Sequence, residues 1–292
     1  VIGSGWVACC LARGHRVAAY DPAPDAEAAV RREVARATGR PELGDAVRFA
    51  GSIGEAVAAA DFVLEAGPER PEAKAAVLRE IDLAAPPGVV IASSTSTMMP
   101  SQLAALAPKG PERVLVGHPF NPVYLMPLVE VVEGPATSPE AVAEALAFFR
   151  DLGKRPVHVR REVPGHLANR LQAALWREAY SLVESGVASV SDVDAAICHG
   201  PGLRWALLGP LVNQHLSGGG GGLAHVLAHL GPPTQAIMDD LGDPRLSPAL
   251  VDLLVRGVED ELAGVDAAEL ADARDALLVD LLAAKTRHGV LP

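Results

Sequence analysis

Residues 113–132 read RVLVGHPFNPVYLMPLVEVV and contain two β-branched runs, separated by a segment that includes three prolines. Short apolar runs bounded by Gly and Pro are typical of buried strands, and we predict strands over Arg113–His118 and Pro127–Val132. The first predicted strand ends at His118, and the second contains Glu130. In open α/β sheets, ligands bind at the carboxyl ends of the strands. His118 therefore lies where such a sheet would hold a site.

The same kind of run recurs on both sides of this stretch, alternating with Ala-rich amphipathic segments over the first ~160 residues. This alternation predicts a parallel sheet with crossover helices. The further predicted strands are His15–Tyr20, Val47–Ala50, Asp61–Ala66, Val89–Ser93 and Arg155–Arg160. The predicted helices are Ser4–Arg13, Asp25–Thr38, Ile53–Ala60, Pro71–Ala84, Ser101–Ala107 and Pro139–Leu152.

After Glu162 the strand pattern stops and apolar residues recur at helical spacing, for example at Leu167, Leu171 and Leu175. We therefore predict an α/β domain over residues 1–162 and an all-helical domain over residues 163–292. Further helices are predicted over Ser191–Cys198, Arg204–Leu216, Leu223–Leu230, Pro248–Leu262 and Ala267–Thr286, with a flexible loop over Ser217–Gly222.

The composition excludes several classes of protein. The chain has 292 residues, a net charge of −11, and 49% hydrophobic residues. An acidic surface without a basic stripe argues against nucleic acid or an anionic membrane as a partner, and no apolar run reaches the ~20 residues of a membrane span. Its three cysteines form no C-x-x-C pair, and no H-E-x-x-H is present. This favours a cytoplasmic protein without a metal site.

The beginning of the chain has features of a dinucleotide site. Gly3-Ser4-Gly5 opens the first predicted helix, and Asp21 ends the strand that follows. Backbone N–H groups at a Gly-rich helix start bind pyrophosphate, and an acidic side chain at that strand end accepts hydrogen bonds from ribose hydroxyls. It also repels a 2′-phosphate, so NAD is favoured over NADP. By itself this pattern is equally compatible with an ordinary turn and cap.

A second group of polar residues follows the central strands. Ser93 to Ser96 come at the end of one predicted strand, and Glu130 lies 12 residues beyond His118. A histidine held by a carboxylate can serve as a general base near neutral pH. A lone His at a strand end is more often a satisfied structural residue, so the interpretation depends on the whole set of motifs.

The set resembles the 3-hydroxyacyl-CoA dehydrogenase family. The residues that carry this resemblance are Ser94-Thr95-Ser96, His118-Pro119-Phe120-Asn121-Pro122, Leu128-Val129-Glu130-Val131-Val132, Pro164-Gly165 and Asn169-Arg170-Leu171. The resemblance implies a Rossmann-like NAD-binding domain, a helical C-terminal domain through which two subunits form a homodimer, and a cleft between the domains. It implies that His118 is the base, that Glu130 is its partner, and that Ser96 and Asn169 hold the substrate oxygen. It also implies cofactor contacts by Gly3, Gly5, Asp21, Glu69, Lys74 and Ser96.

Within the family, the sequence is similar to the free-acid branch, which includes carnitine and gulonate dehydrogenases of the lambda-crystallin lineage. Acyl-CoA members carry a Lys-rich arm after the second strand, whereas residues 22–68 here contain no Lys. Solvated positions are predicted for Arg31, Arg32, Arg36 and Arg40. The resemblance thus implies NAD-dependent oxidation of a small 3-hydroxy acid. A short-chain 3-hydroxyacyl-CoA dehydrogenase and a non-catalytic, structural NAD-binding relative stay open as alternatives.

The chain departs from the family pattern in three places, one of which is that the segment from Asp21 to Glu69 is short even for the free-acid branch. The chain also opens with Val1-Ile2-Gly3, and the spacing from Gly3 to Asp21 matches the family's third fingerprint glycine. We therefore expect that a first strand precedes this sequence; a complete fingerprint over residues 3–8 would leave too short a helix before Gly14. The third departure is His166, which stands where the family usually has Phe. It could alter the fit of the substrate or cap a helix.

Overall fold

The β-branched runs of the first half form strands, as predicted. A computed structural model describes residues 1–39 and 44–289, and the chain separates into two compact units, Val1–Arg170 and Leu171–Pro292. Every predicted strand is confirmed to within a few residues at its ends. The strands are β1 (Val17–Ala19), β2 (Val47–Phe49), β3 (Phe62–Glu65), β4 (Val90–Ser93), β5 (Val114–Pro119), β6 (Leu128–Val132) and β7 (Arg155–Val159).

The strands pair in two groups, and the last two strands, β6 and β7, run against the prediction of a parallel sheet. β1 pairs with β2 in parallel, and β3 to β7 follow one another in a five-stranded sheet. β3, β4 and β5 are parallel, but β6 is antiparallel to β5, and β7 is parallel to β6. The segment between β5 and β6 is too short for the crossover that a parallel pair needs. β6 therefore returns alongside β5 in the opposite direction.

Of the six α-helices described up to β7, one precedes β1 and five lie between the strands. Their amphipathic faces explain the core, since Trp6 and Phe149 pack with strand residues such as Leu115, and Leu78 packs with Ile91. β4 and β5 are buried along their whole length. The helices are α1 (Ile2–Ala12), α2 (Ala26–Thr38), α3 (Ile53–Val57), α4 (Pro71–Ala84), α5 (Pro100–Ala104) and α6 (Pro139–Asp151).

The second half is helical, as predicted, with two differences. The helix predicted over 204–216 is broken at Gly209, which has φ +75° and precedes Pro210. The helix predicted to end at Leu230 instead continues through Pro232 and Pro233 to Asp240, although each proline removes an N–H donor. The helices are α7 (Ala168–Glu184), α8 (Val190–His199), α9 (Pro201–Leu208), α10 (Pro210–Ser217), α11 (Gly222–Asp240), α12 (Pro248–Glu261) and α13 (Ala267–His288).

The helical unit buries few of its own side chains. Within residues 171–289, the buried apolar side chains are those of Val183, Val226 and Leu250. Leu171, Leu175 and Leu211 are exposed, while Leu182 and Leu208 are half-buried. Across residues 1–39 and 44–289, no helix has both the length and the apolar character that a membrane crossing requires.

Candidate active site

The antiparallel pairing of β5 and β6 brings His118 and Glu130 together. The two residues are direct register partners, and His118 Nδ1 lies 2.7 Å from Glu130 Oε2. The His118 residue is 5% exposed and Glu130 is fully buried. Because Nδ1 faces the carboxylate, the ring carries its hydrogen there and leaves the Nε2 lone pair for a proton from elsewhere.

Glu130 also binds the start of α7. Its other oxygen, Oε1, accepts hydrogen bonds from the N–H groups of Leu167 (2.9 Å) and Ala168 (2.8 Å). Burial alone would raise the pKa of the Glu130 carboxyl, but the hydrogen bonds from His118, Ala168 and Leu167 outweigh burial, and the pKa is lowered. The carboxylate is therefore ionised at neutral pH and stabilises positive charge on the ring.

His166 has an unusual backbone and lies beside the base. Its φ is +51°, which makes it the one non-glycine residue with positive φ in the described part of the chain. The residue is 1% exposed, its Nε2 lies 3.4 Å from the Thr95 carbonyl oxygen, and its ring centroid is 5.4 Å from that of His118. The sequence left open whether His166 caps a helix; in the structure, Glu130 caps α7. The left-handed turn at His166 directs the chain so that the next two N–H groups reach Glu130.

Ser96 and Asn169 each follow a residue that contacts His166 or Glu130. Ser96 is half-buried and comes three residues after β4, next to Thr95. Asn169 is half-buried in the first turn of α7, next to Ala168. Within residues 1–39 and 44–289, neither of these two side chains forms a hydrogen bond.

Glu69 is tied to the loop after β4. Its Oε2 accepts hydrogen bonds from the hydroxyls of Thr95 (2.6 Å) and Thr97 (2.7 Å). Burial opposes ionisation of Glu69, but the two hydroxyls and the Lys74 ammonium outweigh it and lower its pKa. The structure thereby connects the predicted Glu69 to the predicted Ser96 loop.

Lys74 is fully buried and bound to a residue that sequence reasoning missed, Glu65. The ammonium donates to Glu65 Oε1 (2.9 Å) and Oε2 (3.0 Å) and to the Gly67 carbonyl (3.2 Å), and lies 3.5 Å from Glu69 Oε1. Ser93 Oγ donates to Glu65 Oε2 at 2.5 Å. A Glu at the end of the apolar strand Phe62–Glu65 was the available signal.

The residues predicted to bind the dinucleotide lie near the carboxyl ends of β1 and β3. Gly3 and Gly5 are in the first turns of α1, and Asp21 is exposed two residues after β1. A Cβ added at Gly3 would be 3.6 Å from the Ala66 Cβ, just after β3, and one at Gly5 would be 2.7 Å from the Val123 Cβ. Gly5 thus permits a close approach of α1 to the segment after β5.

The described residues, 1–39 and 44–289, include no group of three or more His, Cys, Asp or Glu side chains that could hold a metal ion. The chemistry that His118 and Glu130 can supply is that of an oriented imidazole. It can take a proton at Nε2, with the resulting charge stabilised by a buried carboxylate.

Comparison with known proteins agrees with this arrangement. Residues 1–163 match "3-hydroxyacyl-CoA dehydrogenase, NAD binding domain", and residues 165–255 match its C-terminal domain. L-carnitine dehydrogenase of Pseudomonas aeruginosa is 47% identical over 99% of this chain and 94% of its own length. The L-carnitine dehydrogenase of Nocardiopsis dassonvillei is 48% identical over 96% of this chain and 87% of its own.

Solved structures that resemble this chain also include dehydrogenases. An NAD⁺-dependent 5-formyl-3-hydroxy-2-methylpyridine 4-carboxylic acid 5-dehydrogenase has a TM-score of 0.82 and 29% identity, covering 98% of this chain and 95% of its own. 3-Hydroxybutyryl-CoA dehydrogenase of Escherichia coli has a TM-score of 0.60 and 28% identity, covering 82% of this chain and 55% of its own. The chain belongs to the 3-hydroxyacyl-CoA dehydrogenase family and is an NAD-dependent oxidoreductase.

Proposed function

We propose that this enzyme oxidises the 3-hydroxy group of a small, free 3-hydroxy acid of the carnitine type, with His118 as the base. The observation that carries the proposal is the buried contact of 2.7 Å between His118 Nδ1 and Glu130 Oε2. It leaves Nε2 to take the hydroxyl proton, and Glu130 stabilises the imidazolium that forms. Proton transfer to a positioned base typically contributes about 10²–10⁴ in rate. The branch is supported by the L-carnitine dehydrogenases at 47% and 48% identity.

Ser96 and Asn169 are proposed to hold the substrate oxygen as it becomes a ketone. Both side chains are half-buried. Ser96 follows Thr95, whose carbonyl oxygen lies close to His166 Nε2, and Asn169 follows Ala168, whose N–H donates to Glu130. Within residues 1–39 and 44–289 the polar groups of Ser96 and Asn169 form no hydrogen bond and so stay available to a substrate oxygen, while the contacts of the neighbouring Thr95 and Ala168 hold the chain in place. A preorganised donor of this kind is effective because it is already oriented when charge develops.

The cofactor contacts are proposed to divide into two groups. Asp21 fits the ribose, since its carboxylate is exposed beyond β1 with only Oδ1 engaged, by the Ala23 N–H at 2.9 Å. Gly3 and Gly5 would let the pyrophosphate of the cofactor approach the backbone at the start of α1. Ser96 and the partly exposed Glu69 would lie on the nicotinamide side of the cofactor. The buried Lys74 is proposed to act there through Glu65 and Glu69. When bound, NAD supplies the acceptor for the hydride of the substrate carbon.

A free acid is favoured over an acyl-CoA because the cations that CoA phosphates need are scarce. Residues 22–68 contain no Lys. Arg31 is engaged by Glu27 at 2.5 Å, and Arg32 and Arg36 are exposed; Arg40 lies outside the described residues. Gulonate stays an alternative acid substrate.

We also propose that residues 1–162 bind the cofactor and that residues 163–292 serve substrate binding and homodimer formation. The enzyme is proposed to work in the cytoplasm.

The deciding experiment measures kcat/KM from NADH formation with L-carnitine, L-gulonate and 3-hydroxybutyryl-CoA. We expect a free acid to be the best of the three. A CoA ester that is better by tenfold would overturn the substrate class, while His118 could still be the base. No turnover of any hydroxy compound, with NAD bound, would favour the structural, non-catalytic alternative.

A further inference from the structure

The Nδ1 atom of His166 is a buried polar atom without a partner. It has no hydrogen bond in the described part of the chain, and it is buried. Buried polar atoms are nearly always satisfied, so an exception calls for a specific explanation. The ring also occupies a strained backbone position, with φ +51°, and such positions concentrate at functional sites.

The hydrogen bond of His166 Nε2 determines whether the unpaired atom, Nδ1, carries a hydrogen. Nε2 faces the Thr95 carbonyl oxygen at 3.4 Å, and a carbonyl can only accept, so the hydrogen is on Nε2. Nδ1 is then a bare lone pair. Burial and the neighbouring His118 lower the pKa of His166, outweighing the opposite effects of Thr95, Glu130 and Glu69. The ring is therefore neutral at pH 7 and presents an electron-rich atom.

His166 lies close to the base, at a distance similar to the one that we expect between His118 and a substituent next to the reacting carbon of the substrate. Its ring centroid is 5.4 Å from that of His118, and the Phe120 ring centroid is 4.9 Å from that of His118. A carnitine-type acid carries its ammonium nitrogen two bonds from the reacting carbon. When the hydroxyl donates to His118 Nε2, that nitrogen lies within roughly 5–6 Å of Nε2. The single hydroxyl hydrogen is used by His118, so a second acceptor beside it suits a positive charge rather than a second O–H.

We propose that His166 is a further substrate-contacting residue, a neutral imidazole that presents its Nδ1 lone pair to the positively charged end of a zwitterionic 3-hydroxy acid. This inference rests on the proposed function. It means that His166 must stay unprotonated for the cation to bind, because two positive charges a few Å apart in a buried site repel strongly. The charged or titratable groups that act on His166 are His118 on β5, Glu130 on β6 and Glu69 after β3.

The test compares L-carnitine with its isostere 3-hydroxy-5,5-dimethylhexanoate, which keeps the carboxylate but has carbon in place of the ammonium nitrogen. KM for both is measured from pH 8 to pH 5.5 at saturating NAD, for the wild type, His166→Phe and His166→Asn. His118 is present in the wild type and in both variants, so the difference between them in the pH dependence of the KM ratio isolates the effect of His166 on the cation. Asn tolerates positive φ, and it covers the case in which the Phe variant does not fold.

We expect the ratio of KM for carnitine to KM for the isostere to rise by roughly tenfold in the wild type as the pH falls below 6, because protonated His166 repels the ammonium. The ratio should rise clearly less in the folded variants, because the contribution of His166 is absent. Carnitine turnover with a ratio that is the same in wild type and variants at every pH would overturn the role of His166 and leave the proposed function intact. Absence of carnitine turnover by the wild type would overturn the proposed function, and this inference with it.

Discussion

Glu130 is one residue with two structural tasks, because its two oxygens face different parts of the chain. Oε2 orients His118, and Oε1 binds the Leu167 and Ala168 N–H groups at the start of α7. A carboxylate at a helix N-terminus is stabilised by the helix dipole as well as by these hydrogen bonds. Orientation of the base is therefore coupled to the position of the helix that carries Asn169.

The assignment of the base is tested by His118→Gln. Turnover should fall by about 10²-fold or more while the Kd for NAD changes little, because the change removes a proton acceptor and not a cofactor contact. Single-turnover kinetics and NAD titration measure the two quantities. A matched control is His158→Gln, since His158 also pairs with a glutamate, Glu133 at 2.9 Å, but at the surface. Near-normal turnover in His118→Gln would refute the role of the base.

Cofactor selectivity is also argued at one residue, Asp21. Its exposed carboxylate would meet the 2′-phosphate of NADP, and like charges at close range disfavour binding. Asp21→Ala should narrow the preference for NAD over NADP by roughly tenfold, measured as the ratio of kcat/KM values. Asp25→Ala, in the same connection, is the control and should leave the ratio unchanged. A wild type that already prefers NADP would contradict the assignment.

At the scale of elements, the local sequence pattern predicts the strands and helices whose formation depends on residues near one another in the chain. The strands and most helices follow from the alternation of β-branched runs and Ala-rich segments. His118 and Glu130 were singled out by their places on two such runs, whereas their roles were implied by the resemblance of the whole set of motifs. The direction of β6 depends on which strands pair. The break at Gly209 follows from the local pair Gly209-Pro210, which the predicted helix over 204–216 passed over, and α11 continues through Pro232 although a proline there usually ends a helix. Glu65 was missed because its partner Lys74 is on another element and becomes a neighbour only in the fold.

The Glu65–Lys74 pair ties β3 to α4 and, through Ser93, to β4. Lys74→Met should lower the free energy of unfolding by about 3–5 kcal/mol, because it leaves a buried carboxylate without its counter-charge. Urea unfolding measures the loss. The double variant Glu65→Gln with Lys74→Met should lose less than Lys74→Met alone, since no uncompensated charge remains. Lys109→Met removes an exposed lysine and serves as control; a loss in Lys74→Met no larger than in this control would contradict the argument.

At the scale of the whole molecule, the two units differ in how much apolar surface each buries for itself. The first unit has a continuous core around β4 and β5. The helical unit buries the apolar side chains of Val183, Val226 and Leu250 within residues 171–289, and Leu211 and Leu277 are each 69% exposed. Covering one exposed Leu contributes about 1.5–3 kcal/mol, so we expect a partner that covers these side chains to stabilise the helical unit.

We therefore expect a homodimer formed through the helical units, with folding of those units dependent on association. In a twofold dimer each apolar patch is covered twice, once in each copy, so a single charged substitution acts at two places. Leu211→Glu should shift the protein from dimer to monomer at micromolar concentration in sedimentation experiments, and it should lower the thermal midpoint. Leu83→Glu, at a 51% exposed leucine of the first unit, is the matched control and should leave the assembly intact.

In the wild type, the midpoint of thermal unfolding should rise with protein concentration, because association stabilises the folded chain by mass action. A wild-type monomer at micromolar concentration with a concentration-independent midpoint would show that the helical unit is stable with its apolar side chains in water.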